Sequence, residues 1–510
     1  MTARIPGINE IRAATDRAYR RFQQYAFWPQ FCQIPVVVAV RQAITEMKRH
    51  SNTLLFTLGS ILVVTSVLFA RQIGDLPAIP IHMNESDIES GRVPLDDVVK
   101  YGETLFRAVF NRLDGAGRPA TTADGQPRTP RPGMLRTTGP DAHSCASCHN
   151  RPRPGGGGDF ATNVFVMADS TTPVKDSISP EFVNERMTVG LFGSGPIEML
   201  AREMTTELHA TRMLTINQAF LCSCNVPAHL TAKGIDFGDI IAHGDGKVDT
   251  SGVHGVSGDL TVRPFHQNGA AVSLRQFTNE GMNQHLGLQS QELFGIDTDP
   301  DGDGVKNELT VGDITAIALF QAQLGTPGRK VPDDPTRRKA AEAGETLFNK
   351  IGCTSCHIPA MTLKSRMFTE ANPFNPEWKL LTTVSKPVGF DMTTQGQPPR
   401  LEPAPDGGAI VRAYTDLKRH NLCDDADRFF CNDKVAEPGI PAGTFLTRKL
   451  WDIGSSAAFG HRGDLSTITE AIEHHSGEAR TSRNNYSELS GYERAAVVEF
   501  LKTLQILQAK

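Results

Sequence analysis

The chain has 510 residues, a formal net charge of −5 from 52 Lys and Arg against 57 Asp and Glu, and 39% hydrophobic residues. That length exceeds what one hydrophobic core usually holds, so two domains are expected after any leader. The near-balanced charge excludes a general nucleic-acid binder, which needs a basic surface. Plentiful Gly (46) and Pro (32) beside three Trp and six Tyr predict a loop-rich protein.

Leu54 to Ala70 is an apolar run without a charge, directly behind Lys48, Arg49 and His50. The order Met47, basic residues, apolar run resembles an export signal. Residues 47–80 are therefore expected to form a signal peptide or membrane anchor with its linker, and residues 1–46 an extension or a misassigned start. On either reading the remainder is exported to the periplasm, soluble after cleavage or anchored to the inner membrane.

Two segments then recur. Gly102-Glu103-Thr104-Leu105-Phe106 returns unchanged as Gly344-Glu345-Thr346-Leu347-Phe348. Each is followed by a Cys-x-x-Cys-His motif, Cys145/Cys148/His149 and Cys353/Cys356/His357. Two thiols one helical turn apart can bond both vinyl groups of a haem, and the adjacent imidazole reaches its iron, so each motif reads as a covalent haem c site. Zinc is the rival, but zinc sites usually gather four ligands at close spacing. A closing segment completes each half: Leu309-Thr310, Asp313, Ala316, Phe320 and Leu324 match Leu489-Ser490, Glu493, Ala496, Phe500 and Leu504 at a constant offset of 180. Both begin with a capping-box pattern and continue with apolar residues at helical spacing. Helix, haem motif, closing helix is the order of a class I cytochrome c domain. The expected fold is therefore mainly α: two such domains in tandem, 81–335 and 336–510, loop-rich, each around a covalent haem. The four-glycine run Gly155 to Gly158 reads either as permissive backbone near a haem edge or as a plain surface loop.

Between the haem motifs, Asp297, Asp299 and Asp301, with Gly302 and Glu308, fit positions 1, 3, 5, 6 and 12 of a calcium loop, and Asp303 adds a further carboxylate. Clustered carboxylates repel unless a cation offsets them; a solvated acidic turn is the rival. Of the remaining cysteines, Cys32 lies in the leader. Cys222, Cys224, Cys423 and Cys431 suffice for two disulfides in an oxidising compartment, or stay as buried thiols. Cys222 and Cys224 look too close to bond comfortably with each other, which favours cross-pairing.

Other motifs are Gly190-Leu191-Phe192-Gly193, Val262-Arg263-Pro264-Phe265, Ser273-Leu274-Arg275-Gln276-Phe277, and Tyr414-Thr415-Asp416-Leu417 with His420. A longer one runs from Leu450-Trp451-Asp452 through His461-Arg462-Gly463 to His475-Ser476-Gly477-Glu478. With these the chain resembles the bacterial di-haem cytochrome c peroxidase superfamily, in particular its di-haem oxidoreductase (thiol-oxidoreductase-like) branch. The resemblance implies one haem that relays electrons and one that meets the oxidant. It implies hydrogen peroxide as oxidant, a small soluble electron donor such as a cytochrome c or cupredoxin, and leaves a homodimer open. It places His475 as distal ligand opposite His357, a saturated relay haem. The stretch Asn150 to Leu208 holds no His, so the first haem is expected to be five-coordinate on His149, with His209, Met167 and Met187 as weaker contenders. The superfamily's acid–base slot falls on Gln276, which cannot ionise; Glu280 one turn on, or Glu198, could replace it. The bridging Trp position maps near Gln267. Three readings follow: a peroxidase, an oxidase of a protein or organic substrate, or a two-haem electron carrier.

Overall fold

The computed structural model describes residues 74–117, 142–158, 161–164, 184–376, 386–434, 436–437 and 439–507. The leader readings on residues 1–70, Cys32 and Met167 lie outside these. Among the described residues no helix is long and apolar enough to cross a membrane.

The repeat read from the sequence is built as two equivalent helix pairs. Leu95–Arg107 packs on Val311–Ala322, and Pro335–Lys350 on Gly491–Lys502. The repeated glycine explains the close approach: a Cβ on Gly102 would lie 2.0 Å from the Ala316 carbonyl oxygen, and one on Gly344 1.9 Å from that of Ala496. Only glycine lets the helices cross there. Both closing helices start with full capping boxes, Thr310 with Asp313 and Ser490 with Glu493. Phe106 then meets Phe320 at 5.2 Å between ring centroids, and Phe348 meets Phe500 at 5.4 Å.

The expectation of a mainly α fold is overturned. The described residues are 36% helix and 16% strand, with six small two- or three-stranded sheets. All but the pair Gly328–Arg329 with Leu504–Gln505 lie in chain inserted between the repeated helices, where buried backbone polar groups must still find partners. The largest hairpin, Val226–Ala232 with Ile235–Ala242, turns on Lys233 and Gly234, both at positive φ, the two-residue loop geometry that matches strand twist. Its second strand alternates buried and exposed positions over most of its length. Segments from beyond residue 335 join the main core as well: Met361, Leu363, Phe368, Phe390, Ala409 and Val411 are buried in one cluster with Leu200, Met204 and Ile317.

The four extra cysteines also differ from expectation. Cys222 bonds Cys224, and Cys423 bonds Cys431. The long helix Ser194–Cys222 ends there, and Ser223 takes a left-handed conformation (φ 50°) that folds Cys224 back, leaving the Cα atoms 5.2 Å apart, inside the disulfide range.

Candidate haem sites

Each Cys-x-x-Cys-His motif sits on a short turn of helix at the mouth of a cavity. Ser144 caps the first, its Oγ accepting from Ala146 N and donating to Phe106 O, which ties the motif to the repeated helix. All four motif cysteines are free thiols, while the other four described cysteines are paired. The two proximal imidazoles are held alike. His149 Nδ1 bonds the Val189 carbonyl at 3.0 Å and His357 Nδ1 bonds that of Tyr414 at 3.1 Å. Each ring stands 6.3 Å from the repeated phenylalanine, Phe106 or Phe348. A backbone acceptor on Nδ1 leaves Nε2 as the ligand atom and fixes the ring. Burial pushes both imidazoles down to about 4, so each is neutral, the form that binds a metal.

The first cavity, about 1040 Å³, is lined by Cys145, Cys148 and His149 on one side. The second, about 1820 Å³, is lined by Cys353, Cys356, His357 and His475. Met187, Thr188, Val189 and Gln267 line both, so one thin wall separates them. Gln267 Nε2 donates to Met187 O at 2.9 Å across that wall. The position where the resemblance implies Trp is thus between the cavities and carries no aromatic ring.

The distal sides differ. In the second cavity His475 bonds Ala471 O through Nδ1 at 2.6 Å, and burial lowers its pKa. Asp452 Oδ2 and His461 Nδ1 are buried on this cavity's wall with no hydrogen-bond partner.

In the first cavity Glu280, a candidate from the sequence, is joined by polar groups that the sequence reading did not single out. His266, His285, Glu280, Gln284 and Glu437 all line it. His266 Nε2 lies 3.1 Å from Glu280 Oε2, and Gln276 Nε2 donates to Glu280 Oε1 at 2.8 Å. Burial opposes charge on His266, but the Glu280 hydrogen bond and charge outweigh it and raise its pKa. His266 also adopts φ 66°, a conformation uncommon for a side-chain-bearing residue and frequent at functional sites. That His-Gln-Asn-Gly turn, Gly269 included, is the one sequence signal that could have pointed to it.

Of the three acid–base candidates, Glu280 faces the cavity and Gln276 braces it from behind. Glu198 is elsewhere: fully buried, it pairs with Arg202 and accepts from Leu274 N and Asn372 Nδ2, both at 2.8 Å. His209 lines neither cavity and bonds Asp259 O at 3.0 Å. Met187 lies in the shared wall.

In the acidic loop, Asp299, Asp301 and Asp303 bring carboxylate oxygens within 4.8 Å of one another. Asp297 is apart, exchanging hydrogen bonds with Asn307 (2.9 and 2.8 Å) at the base of the loop. Burial, then the neighbouring carboxylates, push Asp301 up to about 7 and Glu308 up to about 10.

Residues 407–504 match the family model described as "Di-haem oxidoreductase, putative peroxidase". Over that stretch the chain is similar to di-haem oxidoreductases. That similarity supports a haem cofactor and a redox role. The match spans less than half of the chain and contains His420, His461 and His475, which line the second cavity. Among solved structures the chain is similar to hydrazine synthase of Kuenenia stuttgartiensis (13% identity, 85% of this chain and 97% of that one, TM-score 0.34). It is also similar to a MauG-like protein associated with microbial copper homeostasis (19% identity, 63% of this chain and 91% of that one, TM-score 0.24). No curated protein matches the chain.

Proposed function

We propose that this protein is an exported c-type di-haem oxidoreductase in which electrons enter at the second site and hydrogen peroxide is reduced at the first. Cys145, Cys148 and His149 would hold one haem, and Cys353, Cys356, His357 and His475 the other. Free thiol pairs beside anchored, neutral imidazoles are the donor set such a group requires. Bound haem supplies a one-electron couple at each site and an iron at which peroxide can be reduced.

The observation that carries the reading is the contrast between the two distal imidazoles. His475 has only its Nδ1 taken by a backbone carbonyl and is neutral, so Nε2 can ligate. His266 has Nε2 committed to the Glu280 carboxylate, which suits a proton carrier and not an iron ligand. Reducing peroxide to two waters takes two electrons and two protons. Glu280 Oε2 carries the peroxide's own proton to the departing oxygen and Gln276 fixes the carboxylate's other oxygen, while the two protons taken up come from solvent, one of them by way of His266 Nε2. A two-haem carrier would have no use for this set. The wall at Gln267, without an aromatic ring, favours as second reading an oxidase of a protein or organic substrate with slower electron relay.

The donor fitting this reading is a small soluble protein, a cytochrome c or cupredoxin, in the periplasm. Supplied with reduced donor, the holoprotein should consume peroxide faster than the donor alone; an equal rate would leave the oxidase. His475→Ala tests the asymmetry. With both haems still attached, one haem should turn from low-spin to high-spin while the other keeps its spectrum. An unchanged spectrum would remove His475 as a ligand.

A further inference from the structure

The acidic loop is not used by the redox reading, and it carries its own chemistry. Glu308 is 3% exposed, its Oε2 accepts from Gln289 N at 2.7 Å, and its Oε1 is buried with no hydrogen-bond partner. Its carboxyl is packed against Gly115, where a Cβ would come within 2.3 Å of Glu308 Cδ, so only glycine admits it there. The charges that act on it are those of Asp301, Asp303 and Asp299, the three carboxylates already gathered on the loop. Arg112 acts on this group through Asp303. Four carboxylates thus gather here, and Glu308 among them is almost wholly buried. A buried carboxylate left unpaired costs several kcal/mol or gives up its charge.

We propose that Asp299, Asp301, Asp303 and Glu308 form a calcium site, with Glu308 as the inner ligand closing the loop against the Asn111–Gly117 segment. An all-oxygen set rich in carboxylates suits a hard cation, and a short irregular loop suits the flexible six- to eight-fold coordination of Ca²⁺ better than the strict octahedron of Mg²⁺. The donor set begins at Asp299, not at Asp297, whose side chain instead clasps Asn307. The site also has a structural task. Gly117 N donates to Leu286 O at 3.1 Å and Ala142 N to His285 O at 3.3 Å, and Leu286, His285 and Ala142 all line the first cavity. A cation that pins Glu308 and the segment beside it therefore braces that wall.

Chelator-treated holoprotein titrated with CaCl₂ in a calorimeter should take up one Ca²⁺ per chain and gain thermal stability, as any ligand of the native state confers. MgCl₂ at the same concentration should bind at least about tenfold more weakly. Asp301→Asn and Glu308→Gln should each weaken uptake by about tenfold or more; Asp303→Asn, at a less buried position, serves if those two do not fold. Haem content and the visible spectrum, read on the same samples, distinguish loss of this site from failure of the redox reading. No calcium uptake by the chelated protein, or uptake unchanged in all the folded variants, would overturn the proposal.

Discussion

Glu280→Gln is expected to slow peroxide reduction by about 10²-fold or more, the usual contribution of a positioned proton-transfer group. Haem content and donor binding should not change. Glutamine keeps the shape and can still hydrogen-bond Gln276 and His266, but it cannot take a proton from the substrate. The effect should therefore fall on the rate and leave both resting spectra intact. Gln276→Ala should give a smaller loss, because it removes only the brace on Oε1, 2.8 Å away. A Glu280→Gln protein with the parent rate would place the proton relay elsewhere, with Glu437 the next carboxyl on the same cavity.

Arg275→Leu is expected to destabilise the fold by about 3–5 kcal/mol, the cost of leaving a buried charge network without its cation. Arg275 is completely buried; it pairs with Glu292 and with Glu370 (2.8 Å) and donates to Thr315 Oγ1 at 2.9 Å. Through these contacts it fixes the Leu274–Gly281 helix, which carries Gln276 and Glu280, to the closing helix of the first repeat and to the Met367–Glu370 strand. The pH dependence has a definite sign. Burial already holds the Glu370 carboxyl above its ordinary range, with Arg275 pulling it down. Without Arg275 the folded-state value moves further up. The folded variant then binds a proton that the unfolded chain releases, so its stability falls as pH rises from the ordinary carboxylate range. Chemical denaturation at about pH 5 and pH 8 should show the larger deficit at the higher pH. A deficit under about 1 kcal/mol at both would mean that the network is solvated.

What the sequence made legible is what local chemistry dictates. The Cys-x-x-Cys-His turns, the repeated glycine and phenylalanine, and both capping boxes are each complete within a few residues. Each appears in the structure twice, with matching geometry. His475, which came from the resemblance and not from local chemistry, lines the same cavity as His357. The rest depended on long-range packing. His266 and Glu437 reach the first cavity from segments far along the chain from His149, and no periodicity links them. The strands were hidden because most are two to four residues long, too short for an alternating pattern. The exceptions are Val226–Ala232 and Ile235–Ala242, where alternation on either side of Lys233-Gly234 was readable. The Cys222–Cys224 bond turned on one backbone conformation, at Ser223, which composition does not announce.

The central claim is that two similar motifs hold unequal haems. Magnetic circular dichroism of the resting holoprotein, recorded with and without cyanide, tests it most directly. One bis-histidine low-spin haem should be indifferent to cyanide, and the other haem should show a high-spin component that cyanide converts. Two low-spin haems that both ignore cyanide would contradict it.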